Sequence, residues 1–99
     1  DCLVGVDYEI SDWTYQCYMR DISEGGAYIE TEQPIKVGQR LTMSLASPVL
    51  ERICAIAGTV VRRDPKGIGV RFEDLTLQQK QVIRSLMESR CSPISGPSQ

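Results

Sequence analysis

The stretch Asp21-Ile22-Ser23-Glu24-Gly25-Gly26 holds the most suggestive chemistry in this sequence. A carboxylate and a hydroxyl two residues apart, followed by two glycines, place an acceptor and a donor–acceptor on a tight connection. Glycine there allows a positive φ. Such residues also form Asx- or ST-turns, hydrogen-bonding their own backbone. The two uses are compatible, because a rigid turn can still present side chains to a ligand. The chain has no histidine. It therefore has no Ser-His or Cys-His nucleophilic pair and no histidine-bearing metal site. The cysteines Cys2, Cys17, Cys54 and Cys91 are widely spaced with no C-x-x-C pair, which disfavours zinc. Cys17 and Cys54 fall in apolar stretches and read as reduced thiols acting as small hydrophobes, the pattern of a cytoplasmic protein.

Charge narrows the partners. The chain carries 11 basic and 13 acidic side chains. Residues 1–60 hold four of the basic residues and nine of the acids, and residues 61–99 hold seven and four. A duplex-DNA binder needs a strongly basic face, so DNA is not the expected partner. A local basic spot for a small anion remains available. No apolar run approaches the ~18 residues of a membrane span. The first residue is Asp1 rather than methionine, so further residues are expected upstream.

The elements that must position these groups follow from a period of two. Cys2, Val4, Val6 and Tyr8 alternate with Leu3, Gly5 and Asp7, and Ala27, Ile29 and Thr31 with Tyr28 and Glu30; Leu41-Met43-Leu45 and Ile68-Val70-Phe72 alternate in the same way. Each reads as a strand with one buried face. Thr14–Arg20 fits less cleanly, with Tyr15, Cys17 and Met19 on one side. Asp64-Pro65-Lys66-Gly67 has the preferences of a type I turn and predicts a hairpin between Thr59-Val60-Val61 and Ile68–Phe72. Ser23–Gly26 and Lys36–Gln39 are two further turns, and Ser47-Pro48 ends a strand. Toward the end the period becomes helical, with Leu75, Val82, Ile83, Leu86 and Met87 largely on one face. Thr76 and Gln79 form a capping-box pattern, so a helix is predicted over about 76–90. One domain over 1–90 is expected, with 91–99 a disordered tail. Short antiparallel strands followed by one helix predict a small all-β barrel with the helix on an end or a face.

The sequence D-x-S-x-x-G, filled by Asp21, Ser23 and Gly26, resembles the second signature of the PilZ domain family. The likeness continues through Ala27-Tyr28-Ile29, Lys36-Val37-Gly38, Gly58-Thr59-Val60-Val61-Arg62 and Gly67-Ile68-Gly69-Val70-Arg71-Phe72, from about Leu3 to Leu75. The resemblance implies a six-stranded antiparallel β-barrel with a C-terminal α-helix. It also implies a non-enzymatic bacterial receptor for cyclic di-GMP, with no cofactor, acting as a monomer or dimer in motility or biofilm signalling. In the family the Asp and Ser approach the guanine and backbone of the ligand, and the Gly allows close approach. A carboxylate suits the N1–H and N2–H edge of guanine.

The family's first signature, R-x-x-x-R, does not occur before Asp21. It would fall just ahead of Asp1. Two explanations compete: the motif lies upstream, or the chain is a member that keeps the barrel as a protein-interaction module without the nucleotide. Arg20 and Arg62 are the candidates to share the arginines' work; Arg63 and Arg71 read as solvated strand charges. Most of Trp13, Tyr8, Tyr15, Tyr18 and Tyr28 read as core or half-buried residues, with Tyr18 and Tyr28 the better candidates for base stacking.

Overall fold

The computed structural model describes residues 4–47 and 50–89. Six strands alternate inward and outward as the sequence period demands: β1 (Val4–Ile10), β2 (Trp13–Ile22), β3 (Gly26–Glu30), β4 (Arg40–Ser47), β5 (Arg52–Asp64) and β6 (Gly67–Phe72). They close into an antiparallel barrel in the order β1-β2-β3-β6-β5-β4. The inward set includes Tyr8, Met19, Ile29, Met43, Leu45, Ile56, Val60 and Ile68, all essentially without solvent contact. Closure leaves no long edge strand among the described residues for another chain to extend.

β5 makes closure possible by its length. Its first part pairs with β4 from Arg52↔Ser47 to Thr59↔Arg40, and its last part pairs with β6 from Gly58↔Phe72 to Asp64↔Gly67. The opposite join, between β1 and β4, is short: Asp7↔Ser44, Tyr8↔Met43 and Glu9↔Thr42. The turns are those the sequence suggests. Asp64 Oδ1 accepts the Lys66 N–H at 2.9 Å and the Gly67 N–H at 3.0 Å, fixing the β5–β6 hairpin. Lys36–Gln39 is closed by the Gln39 N–H on the Lys36 carbonyl, with Gly38 at φ 96° in the third position, the requirement of a type II turn.

The helix α1 (Leu77–Ser89) lies against β4, β5 and β2. Its capping box is formed: Thr76 Oγ1 accepts the Gln79 N–H at 3.1 Å, and Gln79 Oε1 accepts the Thr76 N–H at 2.8 Å. Val82, Ile83 and Leu86 are buried on the barrel and Leu75 is partly buried. Met87, expected on the same face, lies at its rim, 36% exposed. Ser85 and the buried Ser47 share a hydroxyl–hydroxyl bond of 2.7 Å. Among the described residues no helix is long and apolar enough to cross a membrane.

The aromatic expectations divide. Tyr8 is buried, bonds Thr31 Oγ1 at 2.8 Å and stacks on the half-buried Tyr15, with ring centroids 5.3 Å apart. Trp13 is 69% exposed instead of packed, because it pairs with Ile10 at the tip of the β1–β2 hairpin. Tyr18 is outward and 56% exposed. Cys17 and Cys54 are free thiols; Cys2, Cys91 and the 91–99 tail lie outside the described residues. Burial pushes the Cys17 thiol up to about 12, with the Asp7 carboxylate adding to the effect.

Two measurements test this packing. Urea unfolding should show that Ile83→Ala costs about 2–5 kcal/mol and Thr76→Ala about 1 kcal/mol. Leu77→Ala, on the exposed face, should stay within about 0.5 kcal/mol. Alkylation of the native protein at neutral pH should leave Cys17 unmodified until the chain is unfolded, since the thiolate is the reactive form.

Candidate functional site

Strict alternation would put every second residue of β2 and β5 on the outer surface. Each strand breaks it once. In β2 the pairs Met19↔Ile29 and Asp21↔Tyr28 leave Arg20 as an extra residue. In β5 the pairs Val60↔Val70 and Arg62↔Gly69 leave Val61 extra. These are β-bulges, which bend a strand and re-aim its side chains. Inward Met19 is thus followed by two outward residues, Arg20 and Asp21, and inward Val60 by Val61 and Arg62.

The two bulges align one transverse row on the outer face. Asp21 pairs with Tyr28, Tyr28 with Gly69, and Gly69 with Arg62. A cavity of about 460 Å³ lies over this row, lined by Asp21, Ser23, Gly26, Tyr28, Arg62 and Gly69 among others. That volume is within the ~300–1,000 Å³ of small-molecule sites. Four of the five residues singled out in the sequence, Asp21, Ser23, Gly26 and Arg62, therefore meet in one place. Arg20 does not join them. It donates from Nε to Glu30 Oε2 at 2.5 Å and lines a neighbouring open depression with Tyr18 and Lys66.

The Ser23–Gly26 connection is a true turn. The Ser23 N–H donates to the Gly26 carbonyl at 2.8 Å and the Ser23 hydroxyl reaches the same oxygen at 3.3 Å. Asp21 Oδ1 accepts the Ile22 N–H at 3.0 Å. The glycines are not there for a left-handed backbone, because among the described glycines only Gly38 has one. Gly26 answers a different constraint: a Cβ would lie 2.2 Å from the Val70 carbonyl oxygen. Its bareness serves the barrel's own backbone.

Tyr28 and Asp64 complete the surface. The Tyr28 hydroxyl donates to Asp64 Oδ1 at 2.6 Å, and the Arg62 guanidinium carbon lies 5.7 Å from the Tyr28 ring centroid, within cation–π range. The Tyr28 hydroxyl, followed by the Lys66 N–H, holds the Asp64 carboxyl below its ordinary value. The same bond pushes the Tyr28 phenol up, since ionising it would set a second negative charge beside the first. Gly69 was not singled out as a site residue; its place emerges only from the pairing register. Asp64 was read as a turn residue, which it also is.

A depressed carboxyl adds stability above the unfolded-state value, and that stability is lost as pH falls through the folded value. Tyr28→Phe removes the main cause of the depression. The gap in stability between wild type and Tyr28→Phe should therefore be widest near neutrality and narrow in acid, measured by urea midpoints across the acidic range.

The sequence profile of the PilZ domain matches residues 1–89. No curated protein sequence matches the chain. Among solved structures, the PilZ domain of CeSA from a cellulose-synthesizing bacterium is similar with a TM-score of 0.70 at 14% identity, over 87% of this chain and 90% of that one. The Borreliella burgdorferi PlzA protein, solved in complex with c-di-GMP, is similar with a TM-score of 0.64 at 16% identity. That likeness covers 84% of this chain and 32% of PlzA, so the chain spans about a third of that protein's length. Likeness at these identities bears on the fold, a closed six-stranded barrel with one C-terminal helix; the profile match over nearly the whole sequence carries the kinship, and the chain belongs to the PilZ domain family.

Proposed function

We propose that this domain is a non-enzymatic receptor for cyclic di-GMP, bound on the outer barrel face over the Asp21–Tyr28–Gly69–Arg62 row. The observation that carries the reading is the convergence of Asp21, Ser23 and Arg62 on one cavity. A ligand of this kind has guanine edges that donate to a carboxylate, phosphates that attract a guanidinium, and flat bases that stack on one. Asp21 accepts from a guanine, Ser23 bonds the ligand beside it, and Arg62 supplies the cationic wall. The PlzA structure with c-di-GMP supports the choice of ligand. Signalling in this reading comes from ordering of an arginine-bearing segment ahead of β1, which changes the surface offered to a partner protein. The start of β1 at Val4, opposite Met19 and two residues along β2 from Asp21, supports a role for a segment ahead of it. A cytoplasmic site of action goes with the second messenger.

A second reading has one observation in its favour. The 99 residues contain no R-x-x-x-R, which suits a protein-interaction module that keeps the barrel without the nucleotide. Calorimetric titration separates the two, using the chain as it stands and a form with an Arg-x-x-x-Arg segment joined ahead of Asp1. The receptor reading expects saturable heat from the arginine-bearing form. It also expects Asp21→Ala and Ser23→Ala each to weaken binding by about tenfold to a hundredfold, the value of a hydrogen bond with a charged partner, with the fold intact by circular dichroism. No heat from either form would select the interaction module.

A further inference from the structure

Arg62 is held in an unusual way for an exposed arginine. Its neighbour across the β5–β6 ladder, Gly69, has no side chain. The guanidinium stem therefore lies over the Gly69 backbone: a Cβ built there would sit 3.3 Å from Arg62 Nε and 3.5 Å from Arg62 Cβ. Beyond Gly69 in the same row stands Tyr28, whose ring receives the guanidinium. Tyr28 is in turn tied by its hydroxyl to Asp64, and Asp64 is fixed by two backbone N–H groups of the β5–β6 turn. The chain of support runs from a rigid hairpin through a phenol ring to a cation, across a gap made by a glycine.

We infer that Tyr28 and Gly69 are positioning residues for Arg62, with Asp64 as the anchor, and that together they hold the guanidinium plane over the site before any ligand arrives. The inference rests on the receptor reading above and adds residues that the D-x-S-x-x-G signature does not contain. An unsupported arginine would lose much of its rotamer freedom on binding. A guanidinium already held over an aromatic ring has lost part of it in advance, and it remains a planar cation for a base or phosphate. Tyr28 would act through Arg62 and not as the ligand's own stacking partner.

Gly69 gives the cleanest test, because a structural role and a positioning role predict opposite signs. Glycine within a strand weakens it, so Gly69→Ala or Gly69→Val should leave the unfolding midpoint unchanged or raise it. The same Cβ meets Arg62 Nε at 3.3 Å, and the branched side chain of Gly69→Val fills the space the arginine lies in. Arg62 side-chain resonances are read by NMR without ligand, and cyclic di-GMP affinity is read by calorimetry in the arginine-bearing form. In the free protein the Arg62 side chain should show an upfield ring-current shift that Gly69→Val and Tyr28→Leu both abolish. Affinity should fall about fivefold in Gly69→Val and Arg62→Lys, the scale of one exposed cation–π contact, and by less in Tyr28→Phe, which keeps the ring. Absence of the shift in wild type would overturn the inference. So would wild-type affinity in both Gly69→Val and Arg62→Lys while Asp21→Ala loses binding; that result would leave the receptor reading standing. An arginine-bearing form that shows the shift and, like the chain as it stands, binds no cyclic di-GMP overturns both the receptor reading and the positioning role, leaving the strut as a structural contact.

Discussion

A strand in a closed barrel has one face to give to the core, and a single extra residue changes which face that is. Everything specific about this surface depends on two such insertions. Without Arg20 as the extra residue of the β2 bulge, Asp21 would take an inward phase and Ile22 an outward one. Without Val61 as an extra residue, Arg62 would fall opposite Ile68 and leave the row it shares with Gly69 and Tyr28. A buried unpaired carboxylate or guanidinium would cost several kcal/mol, on the order of a small domain's whole stability. The hydrophobic core therefore enforces the first bulge: Ile22 must be inside, so Arg20 and Asp21 are forced out together. The second follows an inward Val60 and sets Arg62 opposite Gly69 on the outer face. Site and core are two results of one register.

That dependence explains what the sequence made legible. β1, β3, β4 and β6 obey the period of two throughout, and their inward residues were readable directly. The Thr76–Gln79 capping box and the Asp64–Gly67 turn were equally plain, because each is a local pattern with a local cause. The sequence located Asp21, Ser23, Gly26 and Arg62 but could not bring them together, since that depends on pairings across strands distant in the chain. The less clean pattern of Thr14–Arg20 came from the outward Tyr18, since Thr14–Met19 pairs regularly with β1, and it did not announce the first bulge at Arg20. Nothing marked the second either, because Val60-Val61 reads as an ordinary apolar pair. Trp13 was misjudged for the opposite reason: residue type suggested burial, and a hairpin tip provided none.

Gly26 and Gly69 show that one residue type answers different demands in the same sheet. Gly26 is bare because the β6 backbone passes where its side chain would be. Gly69 is bare with only the flexible stem of Arg62 above it. The first is a condition of closing the barrel. The second leaves a trough on its outside, and Arg62 lies across that trough toward Tyr28. Asp64 likewise serves both levels, ordering the turn through its two backbone partners and steadying Tyr28 through a third.

The short join between β1 and β4 has a consequence for how the barrel can yield. β1 is zipped along its length to β2 but meets β4 only through Asp7, Tyr8 and Glu9. Parting that join opens the barrel into a sheet with β1 and β4 at its edges, while β2 stays paired with β3. The row from Asp21 through Tyr28 and Gly69 to Arg62 runs over β2, β3, β6 and β5, and neither strand of the seam is among them. Local opening at the seam therefore leaves the register of the site intact.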